Sequence, residues 1–155
     1  MAIPDRYSRP VYLFAGNGLT EGVYGESYVE RIARVLYHGL GDLEGDAVNA
    51  GAACETVHSL LKRLDALLDR HHPDWVVLAV GGNDVWFPWL SDHSLGWWLW
   101  YQFRRGATGL RATRDVEKIS ASYRMLIDRV RSQSAARVLA CTMSPLGERL
   151  DSPAN

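Results

Sequence analysis

Cysteine is scarce in this chain: Cys54 and Cys141 are the two thiols in 155 residues, too few for the disulfide framework that holds small secreted domains together. Two reduced thiols in a cytoplasmic protein are the expectation. No apolar run comes near the roughly 20 residues that a membrane-spanning helix needs, so no transmembrane segment is expected. Met1 to Pro10 carry Asp5, Arg6 and Arg9 and no apolar stretch, unlike a secretory signal. No block of one charge stands out. The formal net charge is −1, and without a basic patch nucleic acid is not an expected partner. No group of His, Cys, Asp and Glu has metal-ligand spacing, so neither a metal nor any other cofactor is expected. Internal repeats and low-complexity segments are lacking too.

What remains is ordinary globular material. Hydrophobic residues make up 47% and charged residues 23%, enough to bury a real core in one domain spanning residues 1–155. Apolar periodicity gives an alternating strand–helix order. Val11-Tyr12-Leu13-Phe14, Ala47-Val48-Asn49, Trp75-Val76-Val77-Leu78-Ala79-Val80 and Arg137-Val138-Leu139-Ala140-Cys141 read as short strands. Between them lie three helical stripes. Tyr28, Ile32, Val35 and Leu36 form the first, stopped by Gly39 and Gly41. Val57, Leu60, Leu61, Leu64, Leu67 and Leu68 form the second, which Thr56 could cap. Ile119, Tyr123, Leu126, Ile127 and Val130 form the third. Such alternation implies right-handed crossovers and a parallel sheet covered on both faces, a three-layer α/β/α fold of flavodoxin-like order. Binding crevices in such sheets lie outside the carboxyl ends of the strands.

Three unusual loops fall at those ends: Gly16-Asn17-Gly18-Leu19-Thr20-Glu21-Gly22, Asn49-Ala50-Gly51 and Gly81-Gly82-Asn83-Asp84. The first is not a dinucleotide fingerprint, because its last gap is one residue too long and Asn49 stands where a ribose-binding acid is wanted. A P-loop is excluded by the lack of a Gly-Lys-Ser/Thr ending. Taken in order, the three loops resemble the first three sequence blocks of the SGNH/GDSL ester hydrolases, over nearly the whole chain from Tyr12 to Asn155.

The resemblance implies serine-based acyl transfer on carboxylic esters, with a small-molecule or lipid-like ester as substrate. In that family a serine in the first block attacks the carbonyl. A glycine N–H from the second block and an asparagine amide from the third join the serine's N–H to hold the oxyanion, and a later Asp-x-x-His supplies the base. Carried over residue by residue, the nucleophile position is Gly18, with Asn17 before it, and the oxyanion donors are Gly51 and Asn83. Asp84 shapes the third loop, and Asn17, Asp84 and Trp86 are expected beside the substrate. Two departures matter. Gly18 has no side chain, so it cannot form an acyl-enzyme, and no Asp-x-x-His appears before Asn155. The expectation is therefore an incomplete domain, lacking the family's last strand and helix, that does not turn over esters. Association through the exposed edge of the last strand is expected with it. Thr20 and Ser27 are the nearest hydroxyls, and His93 is the one histidine near a site loop. The alternative is a non-catalytic protein that binds carbohydrate, lipid or protein in the same crevice.

One composition shift breaks the pattern. Residues 86–105 hold Trp86, Trp89, Trp97, Trp98 and Trp100, five of the six tryptophans, with Phe87, Tyr101 and Phe103. Three readings stay open for this insertion: an aromatic subcluster packed on its own domain, a wall or lid over the substrate, or a surface facing a membrane or partner.

Overall fold

The computed structural model describes residues 9–38 and 44–141. The expected helix stop at Gly39 and Gly41 lies outside them. Strand and helix alternate as β1 (Val11–Gly16), α1 (Gly18–Glu21), α2 (Tyr28–Tyr37), β2 (Asp46–Gly51), α3 (Val57–His71), β3 (Trp75–Ala79), α4 (Gly82–His93), α5 (Leu95–Thr108), α6 (Val116–Gln133) and β4 (Arg137–Ala140). The four strands form one parallel sheet in the order β2-β1-β3-β4. The fold is the α/β class expected from the alternation. Among the described residues, nothing pairs with the outer edge of β4.

Alternation within the strands builds the layers, because successive side chains point to opposite faces. On one face Leu13, Ala15, Val76 and Leu78 meet Leu60, Leu64 and Leu68 of α3 and Ile119, Leu126 and Val130 of α6. Burying a leucine of this kind contributes about 1.5–3 kcal/mol, so this layer carries most of the core. On the other face Phe14 and Val77 pack with Val29, Tyr28 and Ile32 of α2. Leu139 is in register with Val77 and shares that face, and it is exposed. Helix starts follow the local sequence. Thr56 and Ser59 form a reciprocal capping box on α3, and Ser27 and Asp115 cap α2 and α6. His72, in the left-handed region, closes α3.

The structure departs from the sequence reading in two places. The first loop contains α1, a single helical turn, and the third loop is the start of α4 rather than a free connection. The tryptophan-rich segment is a pair of helices, α4 and α5, packed on each other. No helix among the described residues is long and apolar enough to cross a membrane.

Candidate active site

The carboxyl ends of β1 and β3 and the segment after β2 open into one cavity of about 580 Å³. It is lined by Asn17, Gly18 and Thr20 from the first loop, Ala53 and Cys54 from the second, and Asn83, Trp86, Phe87, Trp97 and Trp100 from α4 and α5. The walls are mainly apolar and aromatic with a few polar groups among them, the usual make-up of a small-molecule site.

Two glycines fix the backbone of the first loop. Gly51 lies against α1, and a Cβ there would stand 2.2 Å from Glu21 N and 2.6 Å from Thr20 C. At Gly16 a Cβ would stand 2.6 Å from Ala79 O and closer still to the Thr20 side chain. Asn49 completes the clamp: its amide donates to Thr20 O at 2.8 Å and to Ser27 Oγ at 3.3 Å, and its Oδ1 accepts from Gly51 N at 2.9 Å. Position 18 is different. A Cβ at Gly18 would approach nothing closer than Val23 Cγ2 at 3.4 Å, so a β-carbon fits there in ordinary van der Waals contact.

Around this frame the polar groups can be followed one by one. Asn17 caps α1, its Oδ1 accepting from Leu19 N at 3.1 Å and its carbonyl from Thr20 N and Glu21 N. That leaves the Gly18 N–H without a partner among the described residues. Asn83 donates from Nδ2 to Glu55 O at 2.9 Å, which orients the amide and leaves its second hydrogen available. Gly51 was expected to donate to an oxyanion. Its N–H is instead taken by Asn49, and Gly51 does not line the cavity. Three residues on, Cys54 does line it, with φ at 63°, a left-handed conformation rare outside glycine. Its N–H has no partner among the described residues. No sequence signal marks Cys54.

Asp84 also faces away from the cavity. It is buried, and its Oδ2 accepts from Val57 N at 3.0 Å. Burial pushes its carboxyl up to about 7, against the opposing effect of that hydrogen bond. Asn83 and Asp84 thus clip the start of α4 to the corner at residues 55–57. The same corner holds the ion pair of buried Glu55 with Arg63, whose guanidinium also donates to Ala50 O at 2.5 Å.

The spare hydroxyls are engaged. Thr20 Oγ1 lies 3.1 Å from Tyr28 OH, and Ser27 Oγ donates to Thr20 O at 2.5 Å while capping α2. His93 stacks on Trp89 with its Nδ1 2.7 Å from Trp89 O, and it does not line the cavity. Trp86 does, stacked on Trp89 at 5.2 Å.

A four-stranded parallel sheet with its crevice at the strand carboxyl ends, where three loops converge, defines a flavodoxin-like α/β scaffold. The family model for GDSL-like lipases and acylhydrolases matches residues 14–155, and the chain belongs to that family. No curated protein matches it. Among solved structures, the acetyl xylan esterase AlAXEase is 25% identical with a TM-score of 0.64, over 91% of this chain and 62% of that one. Axe2, an acetylxylan esterase from Geobacillus stearothermophilus, is 20% identical with a TM-score of 0.64, over 95% and 65%. The psychrotrophic esterase EstA from Pseudoalteromonas sp., in a structure inhibited by monoethylphosphonate, is 20% identical with a TM-score of 0.58, over 84% and 57%. The chain spans less than two thirds of the length of each.

Proposed function

We propose that this chain binds carboxylic esters of small or lipid-like alcohols in the cavity beneath Trp86, Trp97 and Trp100, and that with glycine at position 18 it does not form an acyl-enzyme. The observation that carries the proposal is Gly18 itself. It lines a mainly apolar cavity beside Asn17 and Asn83, on a clamped backbone, with room for a β-carbon that it lacks. The Gly18 N–H and the free hydrogen of the Asn83 amide receive the carbonyl oxygen. The Cys54 N–H is the third donor in place of Gly51. The acyl or alkyl part lies on the aromatic wall. Donors aimed at a developing oxyanion contribute about 2.7–4 kcal/mol each to catalysis. Here they hold a ground state, because nothing at position 18 attacks it. Among the described residues no histidine, aspartate or glutamate lines the cavity, so the common general bases are not among them.

The test is intact-mass spectrometry after treatment with a fluorophosphonate, alongside tryptophan fluorescence titration with a monoalkyl phosphonate, whose tetrahedral oxyanion the donors fit. The expected results are no adduct, saturable binding, and binding about ten-fold or more weaker in Asn83→Ala. A stoichiometric adduct on the unmodified chain would overturn the loss of the nucleophile. Absence of saturable binding would overturn the ester site.

A further inference from the structure

Helix α5 is turned the wrong way round for a core helix. None of its residues is buried; apart from Trp97, 40% exposed on the cavity side, four apolar side chains are open to solvent: Leu95 is 74% exposed, Trp98 45%, Leu99 56% and Phe103 70%. Their spacing, 95, 98, 99 and 103, is one face of a helix. The opposite side rests on α4. There Trp100 meets Phe87 at 5.2 Å between ring centroids, and Trp97 and Trp100 line the cavity. An apolar stripe displayed to water on a peripheral helix is costly unless something covers it.

Charge identifies the cover. Between Asp92 and Asp115 the chain has no acidic residue and carries Arg104, Arg105, Arg111 and Arg114, although its net charge is −1. Arg114 pairs with Asp92. Arg104 stacks over Trp100 at 5.8 Å. Among the described residues, Arg104, Arg105 and Arg111 have no acidic partner. Trp, Leu and Phe on one face of a helix flanked by arginine is the composition of a segment lying in the plane of a lipid–water interface. Anionic headgroups attract juxtaposed basic side chains. A second copy of the chain fits worse, because two-fold pairing through α5 would bring the two arginine clusters together.

We infer that the Leu95–Phe103 face of α5 docks on the surface of an anionic phospholipid bilayer, with Trp98, Leu99 and Phe103 in the headgroup–acyl boundary and Arg105 and Arg111 on the phosphates. This holds whatever occupies the cavity.

The test is co-sedimentation of the purified chain with large vesicles of phosphatidylcholine alone and of phosphatidylcholine with phosphatidylglycerol at about 3:1. The variant is Leu99→Glu combined with Phe103→Glu, neither of which lines the cavity. Expected are binding to the anionic vesicles that weakens with salt, little binding to the zwitterionic ones, and a loss of about ten-fold or more in the variant at unchanged far-UV circular dichroism. Equal binding by the variant would overturn the docking face. No binding to anionic vesicles would overturn the lipid partner. A dimer that dissociates in the variant would assign the face to a second copy instead, and a lower melting temperature in the variant without vesicle binding would assign it to another part of the same molecule. Phosphonate titration of the same variant keeps this result separate from that of the cavity.

Discussion

Replacing Asp84 with asparagine isolates a proton that the fold holds against its chemistry. The carboxyl is buried and pushed up from 3.8 to about 7. In the unfolded chain it ionises near its ordinary value. Between those two pH values the native state keeps a proton that the unfolded state has lost, so stability falls as pH rises through this window and levels off above about 7. At about 1.36 kcal/mol per decade, the whole effect is about 4 kcal/mol. The starts of α3 and α4 both converge on this carboxylate, and their dipoles favour its charge by about 0.3–1 kcal/mol each, too little to offset the burial. Asparagine keeps an oxygen for Val57 N and carries no titrating proton. Urea-unfolding midpoints followed by tryptophan fluorescence should give the two proteins similar stability near pH 4. By pH 8 the variant should be ahead by about 2–4 kcal/mol. Parallel profiles for the two proteins, or a variant weaker at every pH, would refute the reasoning and assign Asp84 a stabilising charge.

Four more expectations follow from the same geometry. Gly51→Ala drives a methyl into the backbone of Glu21 and should cost about 3 kcal/mol or more in thermal or chemical melts, whereas Gly18→Ser, with 3.4 Å clearance, should change stability by about 1 kcal/mol or less. Cys54→Gly relieves a left-handed non-glycine residue and should stabilise by about 0.5–1 kcal/mol in the same melts. Burial and then the charges of Lys62 and Arg111 lower the His58 pKa below 6.5; an NMR titration should show this, and Lys62→Ala should move it back toward 6.5. Because that pKa is depressed on folding, the contribution of His58 to stability is present above 6.5 and is lost as pH falls toward its folded value.

The alternation of strand and helix was legible because the core repeats are strong. Leu60, Leu64 and Leu68 recur at helical spacing, and Val76, Val77 and Leu78 form an unbroken apolar run; all are buried. The neighbourhood of Gly18, Asn83 and Trp86 was legible for a topological reason, since parallel strands deliver their following loops to one edge. Helix α1 was not, because four residues carry no periodicity. Nor were α4 and α5, in which Pro88 falls inside the first helix and Leu95, Trp98, Leu99 and Phe103 of the second face outward. The directions of single N–H groups were not legible either. Nothing in Asn49-Ala50-Gly51 reveals that the asparagine captures the glycine two residues on, and nothing in Cys54 announces a positive φ. Asp84 follows Asn83 in sequence yet serves the fold rather than the cavity, a difference set by which way one side chain turns at a helix start.

The clamp on the first loop has an evolutionary consequence. The path of the chain past position 18 is set by Gly16, Gly51 and Asn49, none of which depends on what residue 18 is. A chemical group can therefore be added or removed there almost independently of whether the protein folds. On such a scaffold, gain or loss of reactivity is a near-neutral step for the architecture. Selection on the pocket alone would preserve with it a backbone at position 18 that accepts a side-chain carbon without being rebuilt.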